Sequence, residues 1–197
     1  PKGRIRGRVM TLDDLSALAA AIEKLETASV ICVGDVMLDR FVYGDVSRIS
    51  PEAPIPVFRT GEHISMLGGA GNVARNAAGL GAEVHFVSVT GDDPAGAEVN
   101  RLLSELSNTQ FNLFTDVARK TSIKTRYIAS GQQMMRADEE TVAPLGEDIR
   151  EQVLDAAAAR LGDCSVMILA DYGKGVLDGG IAGELIKAAA ARGVTVI

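Results

Sequence analysis

Three short runs, Ser29-Val30-Ile31-Cys32-Val33, Val84-His85-Phe86-Val87-Ser88-Val89 and Val166-Met167-Ile168-Leu169-Ala170, are apolar at nearly every position. A strand of that kind must be covered on both faces, the condition met in a parallel sheet with helices on each side. Helix-patterned segments lie between the runs. Leu12, Leu15, Leu18, Ala19, Ile22 and Leu25 recur at helical spacing over 12–25, with Thr11 as N-cap and Asp13 and Asp14 in the first turn. Gly91-Asp92-Asp93-Pro94 opens a helix through Leu106, and Pro94 suits the first helical position. Further helices are expected over 147–161 and 180–191, and Val194 to Ile197 begins another strand. Strands and helices alternating in this way predict an α/β fold, a parallel sheet flanked by helices and joined by right-handed crossovers.

Two stretches break the alternation. Residues 41–60 mix Phe41, Tyr43, Val46, Ile49, Ile55, Val57 and Phe58 with polar residues and with Pro51, Pro54 and Pro56. They read as short strands of a small exposed sheet, whose apolar side a second copy of the chain would cover. After a short strand at Phe111–Phe114, residues 121–128 and 132–137 flank Ala129-Ser130-Gly131, a hairpin signal, and are expected to join the same sheet. Lys120, Lys124, Arg126 and Arg136 make this hairpin rich in cations. It is either a solvated edge protected by charge or a cover that brings cations to a phosphate.

In Leu67-Gly68-Gly69-Ala70-Gly71-Asn72-Val73-Ala74 glycines crowd the start of a helix that continues through Ala77 and Ala78 and closes at Gly79 and Gly81. A turn without side chains lets a ligand reach backbone amides, and the first amides of a helix lack partners within it. Asn72 adds an amide that donates to and accepts from a hydroxyl. The stretch reads as a site for a polyhydroxy or phosphorylated small molecule, or equally as a tight turn followed by alanines that let a helix approach a sheet. No Gly-Lys-Ser/Thr follows, so it is not a P-loop. The dinucleotide spacing Gly-x-Gly-x-x-Gly is also absent. Two further clusters end apolar runs: Asp35 and Asp39 in Gly34-Asp35-Val36-Met37-Leu38-Asp39, and Asp171-Tyr172-Gly173-Lys174-Gly175. Carboxylates there are costly unless they meet a ligand, a partner or water, and ligands bind at the carboxyl ends of strands in open α/β sheets.

Composition narrows the class. The 197 residues are 47% hydrophobic and 23% charged, as in an ordinary globular domain, with a net charge of −6 that argues against a nucleic-acid partner. No apolar run is long enough to span a bilayer. Residues 1–10 are basic without the apolar core of a secretory signal, and read as a flexible tail, with a nucleic-acid arm as the alternative. Cys32 and Cys164 show no zinc spacing and are expected to be buried free thiols in a reducing cytoplasm. His63 and His85 have no ligand neighbours at useful spacing.

Gly68-Gly69-Ala70-Gly71-Asn72-Val73-Ala74, with Gly34-Asp35-Val36-Met37-Leu38-Asp39 before it and Val89-Thr90-Gly91-Asp92-Asp93 and Gly96 after it, resembles the amino-terminal signature of the ribokinase-like (PfkB-type) carbohydrate kinases. Arg48-Ile49-Ser50-Pro51-Glu52-Ala53-Pro54-Ile55-Pro56-Val57 and Ala170-Asp171-Tyr172-Gly173-Lys174-Gly175 are similar to the branch acting on D-glycero-D-manno-heptose 7-phosphate. The resemblance spans about residues 10–197. It implies a Rossmann-like core, a small β lid that often forms a homodimer contact, ATP with Mg2+, and a cytoplasmic setting. It also implies phosphorylation of the heptose 7-phosphate at O1 to the 1,7-bisphosphate, in ADP-heptose and lipopolysaccharide synthesis. By the same resemblance Asp39 hydrogen-bonds sugar hydroxyls, Gly68, Gly69 and Asn72 line the sugar site, and Asp171 faces the sugar. Lys174 and Arg136 are candidates for the substrate phosphate or the ATP phosphates. The alternative for Arg136 is an ion pair with Asp138, and for Lys174 a solvated turn.

The family's Gly-Ala-Gly-Asp motif, which supplies the anion hole and the catalytic base, does not occur in these residues, so no catalytic residue is assigned. Residues 11–197 are therefore expected to form the amino-terminal portion of a kinase domain, with lid strands near 41–60 and 121–138. The carboxy-terminal part of the fold, with most of the nucleotide site, is expected to lie outside them. The alternatives are an inactive sugar-binding or dimerisation fragment, and a different PfkB-type sugar kinase.

Overall fold

A computed structural model describes residues 11–197, and the expected tail over 1–10 lies outside the described residues. In chain order the elements are α1 (Leu12–Glu23), β1 (Ser29–Gly34), β2 (Val36–Ile49), β3 (Pro56–Gly69), α2 (Ala70–Gly79), β4 (Glu83–Thr90), α3 (Pro94–Ser104) and β5 (Thr109–Thr115). They continue with β6 (Ser122–Ala129), β7 (Gln132–Glu139), α4 (Glu147–Ala158), β8 (Val166–Ala170), α5 (Ile181–Ala191) and β9 (Thr195–Val196). The apolar runs pair as expected into a five-stranded sheet of order β5-β4-β1-β8-β9, parallel at every pair.

The runs are apolar because both faces are covered. Val30 and Cys32 of β1, with Val84 and Phe86 of β4, pack against Ala74 and Ala78 of α2 and Val99 and Leu103 of α3. The alternate residues Ile31, Val33, Val87 and Met167 meet Val153 and Ala157 of α4 and Ile181, Leu185 and Ala189 of α5. Each large side chain so enclosed contributes about 1.5–3 kcal/mol. The small residues of α2 have their packing reason here, since Ala70, Ala74 and Ala78 let the helix lie close to the sheet. Asp93 caps α3 by accepting from the Gly96 amide at 2.8 Å, and Pro94 takes the first helical position.

The second sheet has order β3-β2-β6-β7, with β2 antiparallel to β3, parallel to β6, and β6 antiparallel to β7. It differs from the sequence reading in extent. In place of short strands within 41–60 there are two strands of 14 residues, and β2 begins at Val36, with one residue between it and the end of β1. Asp39 therefore stands inside a strand of the second sheet, not in a loop at the end of the first. The prolines explain the turn and the edge: Pro51 and Pro54 lie between the strands and Pro56 opens the edge strand β3. The hairpin β6–β7 turns at Ser130 and Gly131, both at positive φ (50° and 75°), which matches the twist of the strands it joins.

Helix α1 forms with its capping box, Thr11 Oγ1 accepting from the Asp14 amide at 3.1 Å and Asp14 Oδ2 from the Thr11 amide at 2.9 Å. Its apolar stripe is not enclosed: Leu15, Leu18 and Ile22 are 44–50% exposed.

Candidate functional site

Strand pairing gathers one face of the second sheet. Leu38, Leu67 and Ile123 share a row across β3, β2 and β6 and enter the core. Asp39 is paired with Lys124, Lys124 with Asp138, and Arg126 with Arg136, so alternation turns these five side chains to the opposite face. On that face Arg126 Nη1 donates to Asp39 Oδ1 at 2.5 Å, and its guanidinium lies 5.2 Å from the centre of the Phe41 ring. The core-facing side is tied down separately by an ion pair between Arg40 and Glu98 of α3 at 3.0 Å.

The glycines at the end of β3 answer to this geometry. A Cβ at Gly68 would lie 2.8 Å from Asp39 Cγ and 2.8 Å from Met37 Cγ, so the Asp39 carboxylate fills the space a side chain would take. Gly69 sits at φ +55° as the N-cap of α2, and a Cβ there would lie 2.8 Å from Met37 Cε. The first amide of α2, Ala70 N–H, donates to the Asp35 carbonyl at 2.9 Å, so that donor is used within the fold. Asn72 is half-buried in the first turn, and its Oδ1 accepts from Arg75 Nη2 at 2.7 Å.

From Asp39 the charged groups run on across the sheet. Lys124 Nζ meets Asp138 Oδ2 at 3.2 Å, and Arg136 Nε donates to Asp138 Oδ1 at 2.8 Å. The ion-pair reading of Arg136 is thus the one present. Hydrogen bonding from Arg136, joined by Lys124, holds the Asp138 carboxyl below its ordinary value. Glu140, just past β7, receives Lys174 Nζ at 2.8 Å and lies 4.0 Å from Lys124 Nζ. Lys174 is therefore an ion-pair partner, not a solvated turn residue.

The carboxyl ends of β1 and β8 are built differently. Asp35, 1% exposed, meets protein and not solvent: its carboxylate accepts from the amides of Tyr172 (2.8 Å), Lys174 (3.1 Å) and Val176 (3.0 Å). Asp171 is exposed, and its Oδ1 accepts from the Gly173 amide at 2.8 Å, which shapes its own turn. Arg119 pins the same loop from the other side, donating to the Lys174 carbonyl at 3.2 Å and the Ala143 carbonyl at 3.1 Å while paired with Asp116 at 3.1 Å.

Of the residues singled out in the sequence, Asp39 and Gly68 touch. Asp171 and Lys174 share the loop after β8, and Arg136 joins Lys174 only through Asp138, Lys124 and Glu140. The sequence reading left out Arg126, Glu140 and Arg119 as partners, because strand register brings them in and spacing along the chain does not.

Other features stand apart. A cavity of about 510 Å3 opens at the amino ends of β1, β4 and β5, lined in part by His85, Gln110 and Arg160, at the opposite end of the sheet from Asp35. Burial, then Arg160, lowers the pKa of His85, against a hydrogen bond to Asn112. Both cysteines are free. Cys32 is buried and its pKa is pushed up to about 12, while Cys164 is only half-buried. Among the described residues no three His, Cys, Asp or Glu side chains converge as a cation site, and no described helix is long and apolar enough to cross a membrane.

Comparison with known proteins identifies the family and the fold. Residues 27–174 match the pfkB family of carbohydrate kinases. The bifunctional protein HldE of Paramagnetospirillum magneticum is 54% identical over 186 residues, covering 94% of this chain and 38% of that protein. HldE of Acidiphilium cryptum is 47% identical over 188 residues, covering 95% and 39%. The chain thus spans well under half the length of these curated relatives. Among solved structures, a carbohydrate kinase from Agrobacterium tumefaciens superposes with a TM-score of 0.62 at 18% identity, covering 86% of this chain and 52% of that one. Arabidopsis thaliana ribokinase, solved with ribose and ATP, gives 0.59 at 16%, covering 86% and 52%. At such identities the likeness is one of fold.

Proposed function

The chain belongs to the pfkB family of carbohydrate kinases, and from that premise we propose that it forms the sugar-binding part of an ATP-dependent kinase for D-glycero-D-manno-heptose 7-phosphate, phosphorylated at O1 to the 1,7-bisphosphate in ADP-heptose and lipopolysaccharide synthesis. The observation that carries the reading is the Asp39 carboxylate seated where Gly68 has no side chain, with Arg126 on Oδ1. Arg126 fixes the carboxylate, so Oδ2 beside Gly68 is the acceptor for a sugar hydroxyl. Asn72 and Asp171 are the further sugar-facing groups, and Gly69 keeps the turn open. Lys174 and Arg136 are the candidate phosphate ligands. Held orientation removes rotational freedom before reaction, and the second sheet acts as a lid that excludes water. The similarity to two HldE proteins supports the heptose branch.

ATP would supply the transferred phosphoryl group. Mg2+ is the metal expected to accompany it, neutralising charge on the phosphates. The second sheet leaves Tyr43, Ile49, Ile64, Met134 and Met135 exposed, and we place a homodimer contact there. Membrane and nucleic acid have no part in this reading, and the setting is cytoplasmic.

A second reading has its own observation. The 197 residues contain no Gly-Ala-Gly-Asp, so the chain by itself is read as a sugar-binding and dimerising unit that does not turn over. Calorimetry with heptose 7-phosphate, beside an ATP-consumption assay, tests both. Binding is expected, weakened about tenfold or more by Asp39→Asn, with no turnover. Failure to bind any sugar phosphate overturns the first reading, and turnover at an ordinary kinase rate overturns the second.

A further inference from the structure

The cluster around Glu140 holds more than a lid tether needs. Two ammonium groups from different sheets, Lys174 in the loop after β8 and Lys124 in β6, converge on one oxygen, Glu140 Oε2, at 2.8 and 4.0 Å. Both lysine side chains are largely enclosed, at 16% and 18% exposure. With Arg136 and Asp138 counted, three cations face two carboxylates. This is a positive spot in a chain of net charge −6.

The partners are unequal in freedom. The Lys174 backbone is held at both ends, its amide by Asp35 and its carbonyl by Arg119. Lys124 sits in a strand paired on both sides. Glu140 is the first residue beyond β7, in the coil leading to α4, with no ladder partner. An incoming anion would therefore move the glutamate and leave the lysines where they are.

We propose that Glu140 occupies the seat of a phosphate monoester carried by the sugar, that Lys124 and Lys174 read this phosphate, and that Glu140 gives way to it. The inference rests on the sugar-kinase reading above and deepens it by naming what separates a phosphorylated sugar from a neutral one. A phosphate monoester near neutral pH carries nearly two negative charges and three acceptor oxygens. With Glu140 withdrawn, Lys124, Lys174 and Arg136 against Asp138 leave two positive charges to meet it. Bonds between charged groups are the stronger ones, so the exchange favours the phosphate. Nucleotide phosphates share this chemistry, and the test separates the two sources.

The 197-residue chain and its variants are titrated calorimetrically with heptose 7-phosphate, with the unphosphorylated heptose, and with ATP. Wild type is expected to prefer the phosphorylated sugar by about tenfold or more. Lys174→Met and Lys124→Met each remove that margin and leave the affinity for neutral heptose unchanged. Glu140→Gln widens the margin about threefold or more by unmasking the lysines. Equal weakening of both sugars by Glu140→Gln makes Glu140 a structural tether and overturns the proposal. So does loss of ATP binding alone in the lysine variants, or equal wild-type affinity for the two sugars, while the sugar-kinase reading survives either result. A wild-type chain that binds neither sugar fails that reading itself and takes the proposal with it.

Discussion

The loop after β8 and the charged face of the second sheet both hold acids and bases, but in opposite ways. In the loop, the buried Asp35 carboxylate accepts from three backbone amides, and Arg119 donates to the Lys174 carbonyl there and to the Ala143 carbonyl before α4. On the sheet, side chains pair with other side chains: Asp39 with Arg126, Asp138 with Arg136 and Lys124, Glu140 with Lys174. Backbone partners cannot leave without unfolding the segment, whereas side-chain partners can be exchanged. The first region is a mounting, and the second is a surface on which a charged ligand can compete.

Breaking the mounting should have the largest effect. Asp35→Ala strands three amides at a buried position, and urea unfolding is expected to show a loss of about 3–4 kcal/mol; a loss under 1 kcal/mol would dissolve the contrast. Gly68→Ala comes next, since its methyl group collides with Asp39 and Met37. It should cost about 2 kcal/mol by the same method and weaken sugar binding along with stability, because the carboxylate it displaces belongs to the charged face.

Acid should act through α3, which carries Glu98 against Arg40 on the core-facing side of the second sheet. Burial alone would raise the Asp93 carboxyl, but the amides of Thr121 and Gly96 outweigh it and hold it below its ordinary 3.8. Burial likewise opposes Glu98, yet Arg40 and Ser65 keep it below 4.5. Depressed values stabilise the fold fully above these ordinary values, and that contribution is lost as pH falls through the lowered folded ones. The melting temperature should therefore hold from neutrality to about pH 5 and drop below about pH 4, and Asp93→Asn should flatten the acid limb. Smallest of all, Arg136→Ala removes a pair whose arginine is 48% exposed, and a change of less than about 1 kcal/mol in the same unfolding assay is expected.

Why some of this was readable along the chain and some not follows from where each constraint acts. Val30 to Val33 must satisfy two covered faces, so burial is written into every letter of the run. The residues 61–69 that extend β3 alternate polar and apolar side chains only weakly, and Val36-Met37-Leu38 continue the apolar character of β1, so the onset of β2 left no mark. Asp39 and Gly68 stood out because short local motifs carry them. Their contact, and the recruitment of Arg126, Lys124 and Glu140, depend on the register of four strands, which no single stretch encodes. The stripe on α1 shows the converse: helical spacing is a property of the segment, but enclosure requires a surface to meet it.

Only Asp35 separates β1 from β2, and it is fixed by its amide to the Ala170 carbonyl at 3.1 Å, by its carbonyl to the Ala70 amide at 2.9 Å, and by its carboxylate to the loop beyond β8. A joint so bound has no slack to act as a hinge, so closure of the lid would bend farther along, where β2 and β3 slip register between Val42 and Gly44 and between Val46 and Arg48.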